Sequence, residues 1–233
     1  MTEEQTLRAA VVAERRELAG MLAELTPEQW GAPSLCAGWR VREVLAHMTM
    51  PFRMSAAQFA LGMAKARGNF DRMADRQARA DTAKLSDAEL LASLRDNVEH
   101  PWRPPGGGTG GALSHDVIHG LDISVALGLE RRPPVDRIGL ILGSMRDKNV
   151  RYFGTDLSGV RLEANDLDWS LGEGAPLRGN AQDLLLVVCG RRLPADLLEG
   201  AAAARFSGGE TGREAGRDAG RDAGRDAGGT DLS

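Results

Sequence analysis

The chain reads as a mainly α protein, a helical bundle followed by a small α/β unit and a disordered tail. Three observations carry this. Apolar residues recur at helical spacing up to residue 153, in a sequence rich in Ala, Leu and Arg with only 4% aromatics. After Gly154 the texture changes to short apolar/polar alternations of the kind that half-buried strands show. From Ser207 onward a four-residue Gly/Arg/Asp repeat offers almost nothing apolar to bury, so it cannot offset the entropy of ordering. The expected divisions are residues 1–153, 154–206 and 207–233.

In order, residues 3–25 form a helix with Leu7, Val11, Leu18, Met21, Leu22 and Leu25 on one stripe. Thr26-Pro27-Glu28-Gln29 is a capping-box pattern, followed by the loop GAPSLCAGW. A second helix begins near Arg40 and buries Val41, Val44, Leu45, Met48 and Phe52, with Pro51 expected to kink or interrupt it. A third helical region covers 69–100 and restarts at Ser86, where Ser-Asp-Ala-Glu is another capping box. PWRPPGGGTGG (101–111) is a loop, and a fourth helix runs from Ala112 to Leu129. An apolar helical stretch at 135–153 closes the bundle. Strands are expected at 160–164 and 167–171 with a turn at Gly172-Glu173-Gly174. Asn180 then caps an apolar helix that ends at Gly190. The small unit is too short to carry much core alone and is expected to pack on the bundle.

Composition removes several function classes. The net charge of −4 favours neither nucleic acid nor an anionic membrane as a partner. No uncharged apolar run approaches the ~20 residues of a membrane span, and the charged N-terminus has no signal-peptide core. Two cysteines, Cys36 and Cys189, are too few for a disulfide framework or a four-thiolate zinc site, and fit a reducing cytoplasm. A monomer or homodimer is expected.

Four histidines remain: His47, His100, His115 and His119. His115 and His119 lie one turn apart on one face of the fourth helix, the spacing by which a helix gives two ligands to one metal ion. Asp122 follows on the same stripe and can hold a ligand imidazole by hydrogen bonding. The competing structural reading is a pair of satisfied interface histidines, with Asp122 paired to an arginine. HDVIH differs from the metalloprotease HExxH in having Asp for the general-base Glu, one methylene shorter. No histidine follows His119 to complete such a site.

TPEQWGAPSLCAGWRVREVLAHM together with HDVIHGLDISVALG resembles the DinB-like metal-dependent four-helix-bundle superfamily, and within it the mycothiol-dependent maleylpyruvate isomerases. Trp39, Val41, Leu45 and His47 match that family's W-x-V-x-x-x-L-x-H stretch, which ends in its first metal ligand. Gly179, Asp183 to Leu186 and Gly190-Arg191 match its small C-terminal domain. The resemblance implies His47, His115 and His119 as ligands to a divalent metal (zinc first, with nickel or iron suiting imidazole as well) and Asp122 behind them. It implies mycothiol or a related thiol as cofactor, a small electrophile as substrate, and isomerisation or S-conjugation as the reaction. Arg191 is the implied anchor for an anionic substrate, with Arg192 as the alternative position. His100 matches nothing and is read as surface.

The family pattern has glutamate where this chain has His115. Three neutral imidazoles leave a divalent ion its full charge, so metal binding is expected while maleylpyruvate as substrate is open. Cys36 has no histidine neighbour in sequence and is assigned no chemistry. The alternative function is a metal-binding or regulatory module of the same fold without turnover.

Overall fold

A computed structural model describes residues 1–145 and 147–208; the side chains of 147–149 and the repeat from residue 209 onward, where most of the expected tail falls, lie outside the described residues. Helix α1 (Glu3–Ala23) opens on a Thr2–Gln5 capping box. The short α2 (Pro27–Gly31) opens on the expected Thr26–Gln29 box, and α3 spans Val41–Arg53. Pro51 sits inside α3 without ending it. What it removes is the N–H that would pair with the carbonyl of His47, four residues back. Helix α4 (Ala56–Lys65), capped by Ser55, occupies a stretch that the sequence pattern left unassigned.

Helices α5 (Phe70–Thr82) and α6 (Asp87–Arg95) divide the 69–100 region at the Ser86 capping box. Helix α7 (Gly108–Ser124) begins inside the glycine-rich loop, four residues before the expected start, because Gly106 and Gly108 at positive φ turn the chain into its first turn. The 135–153 stretch is two helices, α8 (Val135–Ser144) and α9 (Asp147–Phe153). Helices α1, α3, α6 and α7 pack on one another around two apolar clusters, with α5 laid against α3. No helix among the described residues is long and apolar enough to cross a membrane.

The C-terminal unit is a three-stranded sheet, β1 (Val160–Ala164), β2 (Ser170–Gly172) and β3 (Ala175–Gly179), in order β2-β1-β3. β1 runs antiparallel to β2 and parallel to β3, and the third strand is an addition to the two expected ones. Helix α10 (Ala181–Val188) is not capped by the Asn180 side chain; Asp166 Oδ1 takes the Ala181 N–H at 2.7 Å instead. A 3-10 turn (Ala195–Leu197) and α11 (Ala203–Phe206) follow. Ser207 still pairs with Leu193 through a parallel bridge, so ordered pairing reaches the first residues of the expected tail. Leu184 to Val188 share one core with Leu113, Val117 and Leu121 of α7 and Ile138 and Ile141 of α8, so the small unit packs on the bundle.

Candidate functional site

His115 and His119 project from the middle of α7, and His47 meets them from α3. One ligand nitrogen from each lies within 4.8 Å of the others. The Nε2 atoms of His47 and His115 are 3.3 Å apart, and the His119 ring lies 5.0 Å from that of His47 and 4.8 Å from that of His115. His47 is buried, whereas the side chains of His115 and His119 each keep 15% of their surface, so the cluster reaches solvent.

The far nitrogens of the two α7 imidazoles are fixed. His119 Nδ1 lies 3.0 Å from Asp122 Oδ2, and His115 Nδ1 lies 2.9 Å from Asp116 Oδ1. A carboxylate can only accept, so each Nδ1 carries the proton and each Nε2 turns a lone pair inward. His47 Nδ1 is buried without a hydrogen-bond partner. The Nε2 lone pairs of His115 and His119 thus face the space that His47 shares, where the His47 ring brings a third nitrogen within reach of one ion. The donor set therefore fits a divalent metal that takes imidazole nitrogen. Burial first, then the neighbouring His119 and His115, holds the His47 pKa well below its ordinary 6.5. Burial likewise lowers that of His119. Both stay available as neutral ligands.

Asp122 is fully buried and takes four donors. Arg191 grips both its oxygens, Nε to Oδ1 and Nη2 to Oδ2, each at 2.8 Å. The Cys36 thiol donates to Oδ2 at 3.0 Å, beside the His119 contact. Burial alone would raise the Asp122 pKa, but the Arg191 charge overcomes it and leaves the carboxyl far below the usual range. Arg191 reaches this position through a Schellman turn at the end of α10. Gly190 (φ 76°) lets its own N–H bond Val187 and the Arg191 N–H bond Leu186. Arg191 Nη1 also donates to the Cys189 carbonyl at 2.9 Å. The guanidinium expected to anchor an anionic substrate is thus engaged by a fully buried carboxylate, with 21% of its side chain still exposed. Arg192 is exposed and donates to the Ser207 carbonyl, away from the histidines.

Two features escaped sequence reasoning. Cys36 lies 3.7 Å from His119 Nδ1, brought there by a loop whose Leu35 N–H bonds the Asp122 carbonyl. Together Cys36, His119 and Asp122 form a second metal-compatible group. A cation there would compete with Arg191 for an oxygen of Asp122. Asp116 was overlooked because neighbours in a helix sequence do not ordinarily face each other; its adjacency to His115 was the available signal. Aromatic rings complete the surroundings: Trp39 packs 5.2 Å from His47 and Trp102 packs 5.1 Å from His115. Trp39 is held by its Nε1 bond to Asp75 at 2.8 Å. His100 is half-buried rather than on the surface, its ring tilted 48° against that of Phe52 at 4.9 Å and its Nδ1 accepting the Trp102 N–H. A hollow of about 430 Å³ lined by Arg132, Val135, Ile138, Asp166, Asn180 and Gln182 lies apart from the histidines.

No curated protein sequence matches the chain. Among solved structures, a histidine-to-alanine variant of a mycothiol-dependent maleylpyruvate isomerase superposes with a TM-score of 0.53 at 13% identity, covering 91% of this chain and 97% of that one. A second structure of a mycothiol-dependent maleylpyruvate isomerase aligns over the same shares at 12% identity, with a TM-score of 0.48. The first likeness establishes a shared fold across bundle and C-terminal unit. Residues 11–101, which include His47 and the whole Cys36–Trp39 loop, match the family model described as the mycothiol maleylpyruvate isomerase N-terminal domain.

Proposed function

We infer that the protein is a metal-dependent enzyme that uses a low-molecular-weight thiol of the mycothiol type to isomerise or S-conjugate a small electrophile. The observation that carries this is the convergence of His47, His115 and His119 with their donor nitrogens turned inward. Three protein ligands leave coordination positions for an incoming molecule, as catalytic rather than structural sites do. A divalent cation bound there makes a coordinated thiol available as thiolate at neutral pH.

The chain's own residues set the conditions. Asp122 holds the His119 ring with its lone pair inward, and Arg191 holds Asp122. The two carboxylates that touch the ligand imidazoles are each matched by an arginine, Asp122 by Arg191 and Asp116 by Arg15. Neither therefore subtracts from the charge of the cation, and three neutral imidazoles leave it undiminished. Trp39 and Trp102 shield the cluster on two sides and offer π faces rather than charges to a substrate. With Arg191 engaged by Asp122, the reading does not extend to a dicarboxylate such as maleylpyruvate as the preferred substrate.

The reading of a module without turnover draws on one observation, the hollow of about 430 Å³ that is lined away from the histidines. One experiment separates the two. The purified protein is analysed for metal, then supplied with mycothiol and a panel of electrophiles that includes maleylpyruvate. The enzyme reading expects about one equivalent of metal and consumption of at least one electrophile only when both thiol and metal are present. Metal without any thiol-dependent turnover favours the module, and absence of metal overturns both.

A further inference from the structure

We propose that Arg15 and Asp116 are a positioning pair that fixes His115, through its Nδ1, in the tautomer and ring orientation that a cation on Nε2 requires. The proposal rests on the reading of the three histidines as a cation site. Arg15 lies on α1, 101 residues from Asp116, and has no exposed surface. Its Nε donates to Asp116 Oδ2 at 2.6 Å, while the other carboxylate oxygen, Oδ1, faces His115 Nδ1 at 2.9 Å. The Arg15 Nη1 donates to the His100 carbonyl at 2.8 Å, and the guanidinium sits 5.2 Å over the Phe52 ring. That carbonyl belongs to the segment that carries Trp102 onto the outer side of His115. Arg15 therefore orients the carboxylate behind the imidazole and steadies the backbone before the indole beside it.

Around the pair the α1–α7 seam packs Val11, Leu18, Leu113, Val117 and Leu121, and its other buried charge, Glu14 beside Gly120, is paired with Arg131 and Arg137. A buried ion pair in such a seam is poor value for stability, because apolar side chains of similar volume would serve as well without desolvating two charges. Its placement makes sense through His115. The pair repeats, from a different helix, what Arg191 and Asp122 do for His119.

Asp116→Asn makes the test specific. The Arg15 Nε–H needs an acceptor, so the Asn oxygen turns to Arg15 and its NH2 group turns to His115. A donor facing Nδ1 forces the proton onto Nε2, into the space that the cation requires. In metal-free protein with ¹⁵N-labelled histidine, NMR should show His115 protonated at Nδ1 in the wild type and at Nε2 in Asp116→Asn. Competition between the protein and a chromophoric chelator for Zn²⁺ should show ~10–100-fold weaker binding in the variant, the usual cost of losing such a partner. Should Asp116→Asn fail to fold, Arg15→Met/Asp116→Leu leaves no charge buried alone and should lose Zn²⁺ affinity over the same range. An unchanged tautomer in Asp116→Asn, or wild-type Zn²⁺ affinity in either variant, overturns the proposal. If wild type and His47→Ala take up Zn²⁺ equally, the cation-site reading itself fails and the pair has nothing to position; the tautomer measurement, made without metal, keeps the two failures distinct.

Discussion

Arg191, just past the end of α10 in the C-terminal unit, holds both oxygens of Asp122 in the last turn of the bundle helix α7. The small unit thus reaches into the histidine cluster through one side chain, and the cluster's outer support is split between two parts of the chain.

Replacing Arg191 with Ala strands a fully buried carboxylate and leaves the thiol of Cys36 and the imidazole of His119 as its remaining side-chain partners. Breaking a buried pair from one side costs ~3–5 kcal/mol, and chemical denaturation should show a loss of that order. The sign with pH follows from the lowered Asp122 pKa. Its contribution is complete above the unfolded carboxyl's pKa of ~3.9 and is lost as pH falls toward the lower folded value. Without Arg191, burial raises the Asp122 pKa in the variant, so the stability difference should be largest at neutral pH and shrink on acidification as the stranded carboxyl takes up its proton while the wild-type one stays ionised. A difference that stays constant down to about pH 4 would mean that Asp122 is not stranded in the variant.

The histidines govern a separate window. His47 and His119 are held neutral in the folded protein, while unfolded histidine takes up a proton near pH ~6.5. The unfolded state binds more protons below that value, so metal-free protein should lose stability steadily on acidification below about pH 6.5. A His47→Gln variant should show a shallower decline, measured as thermal midpoint against pH.

Neither thiol of the chain should behave as a nucleophile. Burial, reinforced by the Asp122 charge, keeps the Cys36 pKa well above its ordinary value, and burial pushes that of Cys189 up to about 12. Alkylation by iodoacetamide at pH 7.5 should be slow for both until the protein is unfolded. Rapid loss of Cys36 in the folded state, followed by mass spectrometry, would mean that the chain supplies its own thiolate.

Substituting Glu for His115 exchanges an imidazole for a carboxylate, a ligand type whose reference pKa is lower, ~4.3 against ~6.5. Retention of Zn²⁺ during stepwise acidification should extend to lower pH in the variant, and any thiol-dependent activity should move its alkaline-rising limb upward as the cation's charge is reduced. Identical acid sensitivity in both proteins would remove His115 from the ligand set.

Much of this was legible in residue spacing. The i, i+4 pair and the Asp three beyond it sit on α7 as the periodicity required, and the Thr26 and Ser86 boxes open helices where their local chemistry directs. What spacing cannot convey is contact between distant segments. Arg15 lies four residues after Val11 and three before Leu18, on the apolar stripe of α1, but spacing cannot name the partner for a charge there, and only the fold shows it buried against Asp116. Arg191 is visible as a charge after a helix-ending glycine, but its target depends on how α10 docks on α7. Strand β3 was missed because APLRG carries a proline and a glycine, residues that ordinarily count against a strand.

Of the three histidines, His115 and His119 belong to one helix, and His47 comes from another, 68 residues away in sequence from His115. A cation shared by these histidines would act as a clasp across a long loop, present in the native chain and lost when it opens. Free metal at a hundred times its dissociation constant would then add ~2.7 kcal/mol to the folded state. Strengthening the clasp would need no new core contact, only a shorter span between α3 and α7.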